Sequence, residues 1–241
     1  MSGPRRHRIL DQLVGAGSNP LDTDHLCGVC AEVTGMTGAG IMVLSDDVAQ
    51  VSICTSDPVS ARIEDLQHLL GEGPCIDACH EDRPVLEPDL AGHGINRWLG
   101  FAGAAVEAGA LAVFGFPLRV GAIRLGALNL YRDSAGPLTD DQHADALVVA
   151  DIAAESVLVL QAEAPLGQLA AELEVGADLH LVVHQASGMV SAQLGVGVGE
   201  ALVRLRAYAF GHELPLIEVA RRVVDRTLRF VPPGDGVADQ P

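Results

Sequence analysis

The segment from Ala110 to Asp133 contains two apolar stretches, ALAVFGFPLRV and AIRLGALNLYRD, that meet at Gly121. Both stretches are rich in Val, Leu, Phe and Ile, residues that strands favour, and a glycine between such stretches is typical of a tight turn. This pattern predicts a β-hairpin. The fold must therefore include an antiparallel sheet.

The rest of the first 164 residues alternates helical and strand patterns. Thr139 is a suitable N-cap, with two aspartates behind it, for a long apolar helix that reaches about Ala164. Strands in the middle with helices at both ends indicate an α+β fold, in which helices pack on an antiparallel sheet. The other predicted elements are a helix at 21–35, two strands around the Ser-Asp-Asp turn at 45–47, a helix at 58–70, a short helix and a short strand within 71–90, and a helix at 96–108.

No strand pattern follows Pro165, and three helical stretches joined by Gly or Pro predict a compact three-helix unit. These stretches are DLHLVVHQASGMVSAQL, GEALVRLRAYAF and PLIEVARRVVDRTLRF. The end of the chain, VPPGDGVADQP, has the composition of a disordered tail. We therefore predict an N-terminal arm at 1–20, one domain at 21–164, a helical domain at 165–232 and a disordered tail at 233–241.

The charge distribution excludes several classes of protein. The chain has a formal net charge of −17, and all 15 of its basic residues are Arg. Without Lys there is no Walker-type phosphate loop and no Schiff-base enzyme. No apolar run has the length of a membrane span, and no apolar stretch follows the N-terminal arginines as a signal peptide requires. We expect a cytoplasmic protein.

The five cysteines allow two interpretations. Cys27 with Cys30 and Cys75 with Cys79 imitate the spacing of a four-thiolate zinc site. The odd count and the expected cytoplasmic setting argue against a disulfide framework, and free cysteines are among the most buried residues. We therefore expect buried thiols and no metal.

Blocks of the chain resemble two known families in order and spacing. LGEGPCIDA, PVLEPDL, RWLGF, FGFPLRVGAIRLGALNLYR and GPLTDDQHADAL are similar to a GAF domain of the actinobacterial type. The stretch from His184 to Val224, HQASGMVSAQLGVGVGEALVRLRAYAFGHELPLIEVARRVV, is similar to an ANTAR domain, an RNA-binding antitermination module. The resemblance covers residues 20–232.

This resemblance implies a function. ANTAR domains bind tandem stem-loops in nascent mRNA, prevent a terminator hairpin from forming, and commonly act as homodimers. GAF domains are sensory modules that bind small molecules or dimerise. The resemblance thus implies an RNA-binding antitermination regulator with an unidentified GAF ligand. A dimeric sensor or adaptor whose helical tail binds another protein is the alternative, and no nucleophile–base pair indicates an enzyme.

The RNA-binding candidates lie in a part of the chain that is not acidic, since residues 178–232 hold six Arg and five acidic residues. Arg204 and Arg206 flank the predicted apolar stripe of the second helix, and arginines bind phosphate as planar forks. Tyr208 is either a base-stacking ring or a core ring with its hydroxyl outward. The full set of candidates is Arg204, Arg206, Tyr208, Arg221, Arg222, His184 and Gln185.

The predicted GAF part offers weaker candidates. GEGPC imitates a phosphate loop but lacks the lysine and the strand–loop–helix context, so we interpret it as a structural turn. Cys75 is the one thiol at a predicted helix N-terminus, a position that would lower its pKa, and this makes it a redox candidate. The alternative is an inert thiol. Several His and Cys residues are capable of holding a haem, and no pattern selects one of them.

Overall fold

The computed structural model describes residues 3–15, 23–45, 49–163, 182–212, 214–231 and 238–239. Contacts within the chain divide it into two units, an N-terminal unit, Met1–Pro165, and a helical unit, Leu166–Pro241. Within the described ranges, no helix combines the length and the apolar character that crossing a bilayer requires.

The N-terminal unit is built on a five-stranded sheet of strand order β2-β1-β5-β4-β3, in which every neighbouring pair is antiparallel. The predicted hairpin is confirmed, since β4 and β5 pair from Ala112↔Arg132 to Val120↔Ile123. Gly121 has a φ of 60°, which a glycine adopts without a steric penalty. The strands are β1 (Gly38–Ser45), β2 (Ala49–Thr55), β3 (Val85–Glu87), β4 (Ala112–Val120) and β5 (Ile123–Arg132).

Helices cover both faces of the sheet, so the α+β prediction is confirmed. One face packs against α2 (Thr23–Thr34) and α7 (Asp140–Glu163), and the other against α3 (Pro58–Leu70) and α4 (Pro74–Glu81). Side chains alternate between the faces along each strand. Ile41, Phe114 and Leu128 face the α2/α7 side, and Met42 and Ala127 face the α4 side, where they cluster with Cys75 and Cys79.

Thr139 caps α7 as predicted. The backbone N–H of Gln142 donates to Thr139 Oγ1 at 3.2 Å, and the backbone N–H of Thr139 donates to Gln142 Oε1 at 3.0 Å. This reciprocal pair satisfies two donors that a helix start leaves unpaired. The helix buries Ala146, Val149 and Ala153 on the sheet.

The predicted helix at 96–108 is wrong in one respect, because it breaks between Arg97 and Phe101. The structure has a π-turn (Leu90–Gly94), a short helix α5 (Ile95–Arg97) and a helix α6 (Phe101–Glu107). The cause lies far away in sequence. One carboxylate oxygen of Glu72 accepts hydrogen bonds from the N–H groups of Gly100 and Phe101, at 2.6 and 2.8 Å, and caps α6 there.

The predicted N-terminal arm contains a helix, α1 (Gly3–Gly15), which packs on α7. Arg5 and Arg8 each lie 2.6 Å from the carboxylate of Asp145, which is nearly buried, and Ile9 is buried in the core. Composition alone did not indicate this helix, because its binding partners are on α7.

The expectation of five buried thiols is wrong for two of them, because Cys27 and Cys54 form a disulfide that joins α2 to β2. Cys30, Cys75 and Cys79 are buried thiols, and burial raises the pKa of Cys30 to about 12. Cys30 packs on the α2/α7 side of the sheet, whereas Cys75 and Cys79 pack on the other. The two cysteine pairs therefore do not form one four-thiolate site.

The described residues of the helical unit form three helices, α8 (182–194), α9 (Val198–Gly211) and α10 (Leu216–Val224). A short strand β6 (Leu228–Arg229) then pairs with β7 (Ala238–Asp239), which corrects the expectation that no strand follows Pro165. The expected disordered tail is likewise wrong at Ala238–Asp239, and its other residues lie outside the described ranges. The core consists of Ala186, Val190, Ala201, Leu205, Ala209, Leu216, Val219, Ala220, Val223, Leu228 and Phe230.

Candidate functional sites

A single row of residues crosses the sheet of the N-terminal unit beneath α3 and α4. It runs Thr55–Gly40–Asn129–Gly115–Val85, one residue from each strand. Directly opposed residues of antiparallel strands share a face. A side chain at position 40 would collide with the carboxyl group of Glu64, and a Cβ at position 115 would lie 2.5 Å from the Pro74 carbonyl oxygen. The Asn129 side chain therefore points toward α3 and α4, between two glycines.

We call this row of five residues the polar row. Three polar side chains lie at it: Asn129 within the row, and Glu64 and Gln67 on α3. All three are buried. Both amide atoms of Asn129 lack a hydrogen-bond partner among the described residues. The Glu64 carboxyl group interacts with the Ser52 side chain, and the Gln67 side chain interacts with the Cys75 thiol. Gln67 is also fixed through Oε1, which accepts from the Cys75 N–H at 2.8 Å.

Burial raises the pKa of Glu64 to about 8, so the carboxyl group holds a proton at neutral pH. In that state it adds one hydrogen-bond donor to those of Gln67 and Asn129. Unsatisfied buried polar groups are destabilising and uncommon in native proteins. The two Asn129 atoms are such groups, and ordered water or a bound polar group satisfies groups of this kind in native proteins.

Cys75 lies against the polar row, at the second position of α4. Its helix-terminal position was predicted, but the thiol is fully buried, and burial, with nearby Glu64 and Cys79, raises its pKa well above the ordinary value. The Sγ atom lies 3.9 Å from the Leu128 carbonyl oxygen. The thiol is thus protonated, which opposes the thiolate chemistry that a redox role requires.

The GEGPC stretch is the turn between α3 and α4. Gly71 and Gly73 have φ values of 65° and 135°, and a Cβ at Gly73 would lie 2.6 Å from the Gln67 side chain. The turn therefore lets Gln67 approach the start of α4, which agrees with our interpretation of GEGPC as a structural turn.

Sequence reasoning missed the polar row. One signal was present, because Glu64 and Gln67 are three residues apart and share the buried face of α3 with Ile63. Asn129 also interrupts an apolar strand. The row itself joins three distant parts of the sequence, so no local pattern reveals it.

The two arginines of α9 differ in environment. Arg204 is exposed and pairs with Glu200 on the preceding turn at 3.0 Å. Arg206 is half-buried against the expectation of a solvated flank, and its Nε atom lacks a partner in the described part of the chain. Burial lowers the pKa of Arg206. An anion in solvent can therefore reach the guanidinium of Arg204 more easily than that of Arg206.

Tyr208 packs against other rings of the helical unit. Its ring stacks on His212 with centroids 3.9 Å apart, and it meets Phe230 edge-on at 5.6 Å. One ring face is therefore already occupied, which supports the core-ring interpretation over base stacking.

The remaining candidates lie on the other two helices. His184 and Gln185 are exposed on α8, next to the buried Ala186. On α10, Arg221 is exposed and Arg222 is half-buried. The seven candidates are therefore spread over three helices.

Comparisons with known proteins support the N-terminal part only. No protein-family model and no curated protein matches the chain. A domain of a two-component sensor histidine kinase protein from Sinorhizobium meliloti superposes with a TM-score of 0.50 at 16% identity, covering 61% of this chain and 94% of that one. The GAF domain of an Acinetobacter phosphoenolpyruvate-protein phosphotransferase also gives 0.50, at 13% identity, covering 68% and 96%. The chain therefore has a GAF-domain fold over about 60% of its length.

Proposed function

We propose that the protein is an RNA-binding transcription antitermination regulator, in which the GAF domain is the sensor and the helical unit is the ANTAR-like RNA-binding part. The observation that carries the proposal is the charge of residues 178–232, which hold six Arg and five acidic residues. Arg221, Arg226 and Arg229 are exposed there, on a chain of net charge −17. Elsewhere the acidity of the chain repels a polyanion at long range.

The direct test is binding of the full chain to a synthetic RNA that carries two adjacent stem-loops. We expect binding whose affinity falls as salt rises, with a slope in log–log form of ~0.7 to 0.9 per phosphate contacted. A single-stranded RNA of equal length is the control and should bind more weakly. Absence of binding at 50 mM salt would contradict the proposal.

We further propose that the polar row is where the GAF domain binds its small-molecule signal. The unpartnered side-chain amide of Asn129, buried beside Glu64 and Gln67, supports this assignment. Native mass spectrometry of the full chain should show a retained small molecule, and Asn129→Leu should lose it because an apolar side chain cannot satisfy the ligand. An unliganded wild-type spectrum after gentle purification from cell extract would contradict the assignment.

The alternative is a dimeric sensor or adaptor whose helical unit binds a protein. One observation favours it, since Val203 and Phe210 are exposed to 60% and 40% and lie two turns apart on one face of α9. Val203→Ser should abolish protein capture under this alternative and leave RNA affinity unchanged under the first. Light scattering of the full chain at micromolar concentration tests the homodimer that both proposals share.

A further inference from the structure

The turn after α10 places an arginine in a backbone conformation that arginine disfavours. Arg226 has a φ of 62°. Its N–H donates to the Val223 carbonyl oxygen at 3.0 Å, and the Thr227 N–H donates to the Arg222 carbonyl oxygen at 2.9 Å. These two bonds define a Schellman motif, in which the left-handed position is usually glycine and sometimes asparagine.

Arg226 is unusual for this position. Within the described ranges, Asp82 is the other non-glycine residue of positive φ, and aspartate is enriched in that region among non-glycine residues. Arginine is not enriched there, so glycine at 226 would favour the folded state. Residues held in sparsely populated backbone regions concentrate at functional sites.

The side chain of Arg226 has no structural role in the described part of the chain. It is exposed, and it makes no hydrogen bond or ion pair to a described residue. The turn beneath it is fixed, because the Arg222 carbonyl oxygen accepts a second hydrogen bond from Thr227 Oγ1 at 3.0 Å. A rigid turn thus holds the guanidinium out in solvent.

The helix dipole accounts for arginines near the end of α10, but it does not account for an arginine at the left-handed position 226. Cations near a helix C-terminus are favourable, which accounts for Arg221 in the last turn of α10. The same benefit is available at ordinary helical positions, without a left-handed residue. Arg226 lies between two further exposed arginines, Arg221 and Arg229, with one exposed acid, Asp225, beside it.

We infer that Arg226 is a phosphate-contacting residue, and that the turn after α10 docks on the sugar–phosphate backbone of the RNA. The inference rests on the proposed RNA-binding function. The chemistry points to phosphate, because the guanidinium is a planar fork suited to phosphate oxygens. Its exposed neighbours on this turn are further charges and Thr227, with no aromatic ring to stack a base.

The test is the pair of variants Arg226→Gly and Arg226→Lys in the full chain. Glycine relieves the backbone, so the melting temperature should stay equal or rise. The affinity for the synthetic RNA with two stem-loops should fall about five-fold at 0.1 M salt, the loss expected for one released counterion at a slope of ~0.7. The loss should be similar for the single-stranded RNA, and Arg226→Lys should keep most of the affinity.

Arg62→Ala is the matched control, since Arg62 is exposed on α3 of the other unit and its loss changes the net charge equally. An effect of Arg226→Gly no larger than that of Arg62→Ala, with the wild type binding RNA, would overturn this inference alone. A lower melting temperature for Arg226→Gly would also overturn it, because the arginine would then be structural. Failure of the wild type to bind either RNA would overturn the proposed function as well.

Discussion

Glu64 makes the stability of the N-terminal unit depend on pH. Its folded-state pKa of about 8 lies above the ordinary value of 4.5, because the charged form is disfavoured by burial. The folded state therefore binds this proton more tightly than the unfolded state does. Stability falls as pH rises from about 4.5 to about 8, and the penalty is complete above that pH.

We predict that Glu64→Gln removes this dependence, because an amide of the same shape does not ionise. The difference in melting temperature between the variant and the wild type should grow from pH 5 to pH 8, with the variant more stable at pH 8. Calorimetry across that range measures it. Glu32→Gln, at an exposed position of α2, is the control for lost charge. Parallel curves for the wild type and Glu64→Gln would contradict the burial argument.

Arg206 and Arg204 should differ in their effect on stability. Arg206→Ala removes a half-buried stem, so we expect a loss of about 1 kcal/mol, whereas Arg204→Ala removes an exposed helical ion pair and should cost about 0.5 kcal/mol or less. Urea unfolding of both variants measures the difference. Equal losses would indicate that Arg206 is as solvated as the helical wheel suggested.

The disulfide between α2 and β2 is the largest correction at the scale of elements. Sequence reasoning used the cysteine count and the expected compartment, and neither reports which thiols meet in space. Cys27 and Cys54 meet because α2 packs on the sheet beside β2, which is a property of the assembled fold. The break before α6 was missed for the same reason, since Glu72 caps it from another element.

We predict that a reductant lowers the stability of the wild type and not that of Cys54→Ser. A cross-link that closes 27 residues contributes about 3.5 kcal/mol by loop entropy. Urea unfolding with and without dithiothreitol measures the effect. Titration of the unreduced, denatured wild type should find three free thiols. Five free thiols would show that the bond does not form.

The helices and strands themselves were largely predictable, because their signals are local. The hairpin from β4 to β5, the Thr139 cap and the apolar stripe of α9 follow from strand-favouring composition, capping chemistry and helical spacing. The candidate sites were less predictable. The two arginines of α9 look alike on a helical wheel, and only packing distinguishes Arg206 from Arg204.

At the scale of the whole molecule, the N-terminal unit has its own core and should fold alone. Its two sheet faces are covered by helices that belong to the same unit. We expect a fragment ending at Ala164 to unfold in one cooperative transition, with the same midpoint as one transition of the full chain. Chemical denaturation followed by circular dichroism measures both. A fragment with near-native helicity but no cooperative transition would contradict this expectation.

The polar row also affects how relatives of this chain are to be sought. Gly40, Gly115 and Asn129 are neighbours across three strands, yet up to 89 positions separate them along the chain. A contiguous motif cannot describe them, whereas a cross-strand template of glycine, asparagine and glycine with a carboxyl group overhead can. Such a template separates GAF domains that carry the same buried polar row from those that share only the fold, even where sequence identity is too low for alignment.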